Sequence, residues 1–276
     1  MTSQPILNDA QRGNAEARRK RTMLAEVRDG LSRTPRELSP KFFYDERGSR
    51  LFEQITALPE YYLTRAEREI LTARAEEIVA PGHRTLVELG AGSAAKTRIL
   101  LDAMRARGSN VTYVPVDVSE AFLDQTRIAL EGEMPGLHVR PIVADLTETL
   151  DLPAQLGIGG PVLFAFLGST IGNFDGPSAV GLLRSIRGQM RTGDQFLLGT
   201  DLRKDRETLE AAYDDAAGVT AEFNRNILRV LNAELGADFA PSHFDHIAFY
   251  NEEAHRIEMH LRSSVAQLVH IPGMPA

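Results

Sequence analysis

The chain has 276 residues, 43% of them hydrophobic, a formal net charge of −7 and no cysteine. That length and apolar content suit one large α/β domain with additions, and the acidic balance opposes nucleic acid or an anionic membrane as the main partner. The missing cysteines exclude disulfides, thiolate-held zinc and thiol nucleophiles, which fits a cytoplasmic protein, and no apolar run approaches the ~18 residues of a membrane span.

Residues 1–40 read as a polar tail and then a helix with Met23, Leu24, Val27 and Leu31 on one side, ending near Thr34 and Pro35. Its arginines (Arg12, Arg18, Arg19, Arg21) are interrupted by Asp9, Glu16 and Glu26, so they describe a solvated face rather than a targeting segment. The next stretch, KFFYDERGSRLFEQITALPEYYLTRAEREIL, gathers aromatic residues around a helix that begins near Ser49 and is broken by Pro59. Phe42 and Phe52 read as core beneath a loop. Tyr44 and Tyr61 each carry a hydroxyl that needs a partner when buried, and are candidates for the wall of a pocket that holds a small polar ligand.

Residues 86–101, LVELGAGSAAKTRILL, read as strand, tight turn and helix. Glycine at 90 and 92 allows positive φ and a close backbone approach, and the helix that follows offers free N–H groups to an anion or carboxylate. The spacing also meets the dinucleotide pattern loosely, with Ala95 in the third place. A second strand, 112–118 (TYVPVDV), ends in Asp117, some 27 positions after Gly90, where a carboxylate can accept from both hydroxyls of a ribose. After a helix at 122–130, a third strand (139–143) closes on Asp145, placed to accept from the exocyclic amine of an adenine. Either acid has the plainer alternative of capping the next helix.

The fourth strand, 162–167 (VLFAFL), leads into GSTIGNFD. Ligands of doubly wound sheets lie outside the C-terminal strand ends, so 168–173 faces the same crevice as Gly90. Gly168 is counted with the cofactor half. Asn173 offers an acceptor and a donor suited to the amine and the carboxylate of an amino acid, unless it merely shapes a turn. A helix (182–190) and a fifth strand (195–200) follow, running into Asp201. There the alternation stops, giving two helices with Tyr213 between charged neighbours and then an antiparallel hairpin around NEEAHR, an insertion rather than another βα unit. His243, Asp245, His246, His255, Glu258 and His260 are not read as a metal site: opposite strand parity turns them to opposite faces and none pairs at helical i, i+4 spacing. Neither a serine elbow nor a Walker lysine is present.

Taken together, VELGAGSAAKTRILL, VPVDVS, ADLTE, FLGSTIGNF, KFFYDERGSRLFEQIT and PEYYLTRAE resemble the histidine-specific S-adenosylmethionine-dependent methyltransferase family, from about residue 39 to 264. The resemblance implies α-amino methylation of L-histidine to the trimethylated product, hercynine, on the route to ergothioneine. It implies a Rossmann-like class I methyltransferase fold, α/β, with a parallel sheet and an inserted α+β substrate-binding domain. The expected division is 1–65 for the N-terminal helical part of the substrate domain, 66–200 for the cofactor-binding core and 201–276 for the insertion. Gly90 and Lys96 would meet the methionine part of S-adenosylmethionine, with Lys96 against its carboxylate; Asp117 would hold the ribose, and Asp145 with Leu146 the adenine. Tyr61, Asn173 and Tyr213 would hold the amino acid, Tyr44 would sit beside its amine, and Met259 would form pocket wall. Tyr44 and Asn173 are the expected catalytic pair. The expected partner is a small amino acid, with neither nucleic acid nor membrane, and the expected state is a cytoplasmic monomer.

One departure accompanies the resemblance. The chain stops at Ala276, before the helix and two strands with which that family closes its sheet and which carry its imidazole-recognising residues. The fifth strand is then expected to be an exposed apolar edge, and the accepted side chain stays open between histidine and another aromatic amino acid such as a tryptophan derivative. Two further readings are a nicotinamide-dependent oxidoreductase, in which Glu88 and GSTIGNF have no use, and a protein that binds cofactor or amino acid without converting it.

Overall fold

The computed structural model describes residues 9–108, 110–147, 150, 152 and 160–274. At its centre β1 (Thr85–Leu89) and β5 (Val162–Phe166) run side by side, every residue of both buried. Strands covered on both faces are continuous apolar runs, which is why these two were legible as runs rather than as alternations. β2 (Val111–Asp117) pairs with the other edge of β1, β3 (Leu137–Val139) and β4 (Ile142–Val143) pair with β2, and β6 (Gln195–Leu198) pairs with β5. All these pairings are parallel, in the order β3-β2-β1-β5-β6. The expected third strand is thus two short pieces, split at Arg140 and Pro141; proline has no N–H to give to a ladder. β6 is the outer strand among the described residues, with Leu198 37% exposed.

Alternate residues of β1 feed opposite layers. Leu86 packs with Leu100, Leu101 and Met104 of α4 (Thr97–Ala106) and with Leu130 of α5 (Glu120–Glu133). Val87 and Leu89 pack with Phe164 and with Leu182 and Ile186 of α6 (Gly176–Gln189). Three helices begin earlier than the sequence reading placed them, α5 by a small margin and two others by most of a turn or more. In α2 (Glu46–Thr56) the Asp45 side chain accepts from the Gly48 amide at 2.7 Å, and in α6 Asp175 accepts from the Ser178 amide at 2.8 Å with Pro177 in the first turn. Such caps satisfy amides that the helix itself leaves free.

A second body is made from both ends of the chain. α1 (Asp9–Leu31) and the 3-10 turn Pro40–Phe43 contribute Met23, Val27 and Phe42 to a cluster with Leu228 and Leu231 of α8 (Val219–Leu235). The hairpin β7 (Phe244–Asn251) and β8 (Arg256–Ser263) joins it through Phe244 and Leu261. The chain topology reverses between β1 and β5, and at such a point the loops leaving the two strands separate to form a crevice. The second body faces the crevice, bringing Tyr44 and Met259 to the same cleft as Gly90.

Candidate active site

β1 ends in a turn whose glycines take left-handed conformations, φ +65° at Gly90 and +50° at Gly92. The amides of Gly90 and Ala91 both donate to the Val116 carbonyl, at 2.8 and 3.3 Å, folding the turn over the end of β2. A side chain at Gly92 would meet nothing within 4 Å, so its bare face opens outward and a ligand can lie against the backbone there.

Asp117 stands at the end of β2. Its Oδ2 accepts from the Gly92 amide and its Oδ1 from the Ser119 amide, both at 3.2 Å, which leaves each oxygen with capacity for one more donor. Burial raises its carboxyl above the usual range, and these amides only partly offset that. Asp145, after β4, has Oδ1 filled by the amide and hydroxyl of Thr147 at 2.9 and 2.6 Å, and Oδ2 bonded by the Lys41 ammonium at 2.5 Å. Burial pushes this carboxyl up, but the bonds from Lys41 and Thr147 outweigh it and hold it below its ordinary value.

Past β5, the 3-10 turn Thr170–Asn173 carries Asn173 into the cleft, exposed, its side-chain amide without a bond to any described residue. Opposite it the second body presents aromatic rings in series. Tyr44 meets Phe52 at 5.7 Å between centroids, Phe52 meets Tyr61 at 6.2 Å and Tyr61 meets Tyr213 at 5.9 Å, each edge to face. Burial raises the phenols of Tyr44 and Tyr61, and Tyr213 is pushed up to about 12 by burial and by the Asp201 charge. All three are neutral hydroxyls at physiological pH.

One cleft of about 1730 Å³ joins these features. A single small ligand needs roughly 300–1,000 Å³, so two fit. Of the residues expected from the sequence, Gly90, Asp117, Asp145, Leu146, Asn173, Tyr44, Tyr213 and Met259 line it. Tyr61, Lys96 and Gly168 stand behind the lining. Tyr61 supports Tyr213, while Lys96 and the Gly168 amide both bond Glu67 of α3 (Tyr62–Ile78), the amide at 2.8 and 3.0 Å from the two oxygens.

Sequence reasoning missed Glu67, Lys41 and the support of Tyr213. The last is His246, whose Nδ1 lies 2.8 Å from the Asn224 amide nitrogen and whose Nε2 lies 2.8 Å from the Tyr213 carbonyl oxygen. As Asn224 donates, the imidazole is the Nε2–H tautomer and donates in turn to Tyr213. None of these pairs has a periodicity that a sequence could display.

Residues 23–275 match the family described as histidine-specific methyltransferase, SAM-dependent. The chain belongs to this family. It is 49% identical to a histidine N-alpha-methyltransferase of Mycobacterium tuberculosis over 250 residues, covering 90% of this chain and 77% of that protein. Identity to the protein of the same name in Mycolicibacterium smegmatis is 47% with the same coverage. A more distant relative, an L-tryptophan methyltransferase of Psilocybe serbica, is 31% identical over 87% of this chain and 74% of its own length. As a member of the family the chain is an S-adenosylmethionine-dependent methyltransferase, which sets aside the nicotinamide reading of the glycine turn.

Proposed function

We propose that this methyltransferase acts on the α-amino group of L-histidine and carries it to the trimethylated product, hercynine. The observation that carries the reading is that the free amide of Asn173 and the hydroxyl face of Tyr213 open onto the same cleft as Gly90 and Asp117. The similarity to two histidine N-alpha-methyltransferases supports the choice of amino acid.

The cofactor half fits a sulfonium nucleoside on its donors and acceptors. The bare face at Gly92 leaves room beside the turn, the two unfilled acceptor sites of Asp117 suit a ribose diol, and the remaining lone pair of Asp145 suits an adenine amine, with Leu146 against the base. Gly90 shapes the turn, while Gly168 and Lys96, joined through Glu67 just behind the lining, are assigned to the methionine end.

S-Adenosylmethionine supplies an electrophilic methyl group, transferred by in-line displacement. The residues of this chain bring the amine to it and keep it there. Asn173 and Tyr213 grip the amino acid's charged ends, with Tyr61 and His246 fixing Tyr213 from behind. Aligned reactants at ~3–3.5 Å account for much of the rate in such reactions. Only a neutral amine attacks, and a model α-amino group titrates near ~8. The raised phenols of Tyr44, Tyr61 and Tyr213 are not phenolate bases at neutral pH. The hydroxyls of Tyr44 and Tyr213, which line the cleft, therefore accept from the amine's N–H groups, which aims its lone pair, and relay its proton to water. The faces of Tyr44 and Phe52 suit a growing methylammonium, by cation–π attraction of roughly 0.5–2 kcal/mol.

Thermal protection tests the reading. S-Adenosylhomocysteine is expected to raise the melting temperature where NAD does not, and histidine to raise it further where tryptophan does not. Equal protection by tryptophan would reassign the side-chain pocket.

A further inference from the structure

Lys41 lies in the 3-10 turn that leads into Tyr44, yet its ammonium serves another part of the molecule. It reaches Asp145 Oδ2 at 2.5 Å and Glu26 of α1 at 2.7 Å, a residue 104 positions away in the chain in the first case. The Lys41 side chain is 17% exposed and that of Asp145 21%, so the pair is poorly screened by solvent. All three groups border the cleft. The acceptor capacity of Asp145 is almost spent: Thr147 takes Oδ1 twice and Lys41 takes one site on Oδ2. A carboxylate has about four acceptor sites, so one remains, on the oxygen that Lys41 holds.

We propose that Lys41 is a positioning residue for base recognition: by holding Asp145 Oδ2 it leaves one fixed acceptor site that selects a purine bearing an exocyclic amine over one bearing an oxygen. This deepens the assignment of Asp145 to the adenine and rests on it. Without Lys41 the carboxylate turns about its Thr147 bonds, presents more than one free site and accepts water as readily as the base. Glu26 secures the far side of the ammonium and has no contact with the base. The same 3-10 turn ties this clamp to the amino-acid side, because the Tyr44 amide donates to the Lys41 carbonyl at 3.3 Å.

The test is discrimination rather than affinity. The dissociation constants of S-adenosylhomocysteine and S-inosylhomocysteine, which differ by the amine and the oxygen, are measured by calorimetry on the full chain. The wild type is expected to prefer the adenosyl ligand by roughly 10- to 100-fold, the range of a hydrogen bond to a charged group. Asp145→Asn is expected to bring the ratio near unity; if it leaves the ratio intact, the assignment of Asp145 to the base is wrong. Given that collapse, Lys41→Met is expected to reduce the preference to within about 3-fold, Lys41→Arg to retain most of it, and Glu26→Gln to leave it unchanged. A merely structural Lys41 would weaken both ligands alike and keep the wild-type ratio, which would overturn the proposal while leaving Asp145 in place. Should Lys41→Met not accumulate as folded protein, the double substitution Lys41→Met with Glu26→Gln, which removes the donor and also relieves the stranded Glu26 charge, is read by the same ratio with the same two outcomes.

Discussion

The ammonium of Lys96 and the carboxylate of Glu67 form an ion pair behind the glycine turn, their side chains only 18% and 14% exposed. Glu67 also takes the Gly168 amide, so one carboxylate of α3 fastens the loops that leave β1 and β5. A side chain on Gly199, just after β6, would collide with it. Lys96 neutralises Glu67, and its proposed second duty is to face the carboxylate end of the cofactor.

Those duties separate by double substitution. Lys96→Met strands Glu67 as an unpaired, mostly buried charge, expected to cost about 3 kcal/mol of stability, and weakens S-adenosylhomocysteine by roughly 10- to 100-fold. Adding Glu67→Gln is expected to recover most of the stability, seen in denaturant midpoints, without recovering the affinity. Recovery of both would show that Lys96 does not meet the cofactor.

The side-chain amide of Asn173, proposed to hold the amino acid, bonds to no described residue and opens onto the cleft. Asn173→Ala is expected to weaken histidine by roughly 10- to 100-fold while changing S-adenosylhomocysteine by less than about 2-fold, in separate titrations. Equal losses would place Asn173 with the cofactor.

Beneath the turn, Glu88 of β1 is 3% exposed and accepts from the Thr97 hydroxyl at 2.6 Å and from the Tyr113 hydroxyl. Burial pushes its carboxyl up to about 7 from an ordinary 4.5, despite those two bonds. A raised acid binds its proton more tightly when folded, so its contribution is full below the unfolded value of 4.5 and is lost as pH rises through about 7. Glu88→Gln removes that loss. The variant is expected to gain on the wild type between pH ~5 and ~8, by roughly 3 kcal/mol at most. Parallel stability profiles across that range would show that Glu88 keeps its charge in the fold.

The neutral tyrosines predict a pH–rate profile set by the substrate. kcat/KM for histidine is expected to rise through the titration of its own α-amine, which the neighbouring carboxylate places above that of a peptide amino terminus, and to level off beyond it. Tyr44→Phe should lower the plateau without moving the pH at which it is reached. A shifted midpoint in Tyr44→Phe would make the phenol the titrating group.

The parallel core was readable because its signals are local. Apolar runs at 162–166 and 85–89 end in a glycine turn or loop, and acids stand at two strand ends, where the topology puts ligands. The splitting of the third strand at Pro141 and the early starts of α2 and α6 at their aspartate caps have local signals that the hydrophobic pattern overrode. What no local pattern carries is pairing at a distance. Glu67 finds Lys96 29 positions away and Lys41 finds Asp145 104 positions away, and only the packing of α3 and of the N-terminal turn against the sheet makes either pair. The aromatic segment was rightly divided for Phe42, which is buried with Val27 and Leu231. Phe52, read as core alone, both packs in the ring series and borders the cleft.

The central claim, that a sulfonium nucleoside and a free amino acid meet across one cleft with the amine aimed at the methyl group, is tested most directly by mass spectrometry. Histidine incubated with the protein and S-adenosylmethionine is predicted to gain one, then two, then three methyl groups on its α-nitrogen, with tryptophan unchanged in a parallel reaction. Histidine recovered without added methyl groups, while S-adenosylhomocysteine and histidine both bind, would contradict it.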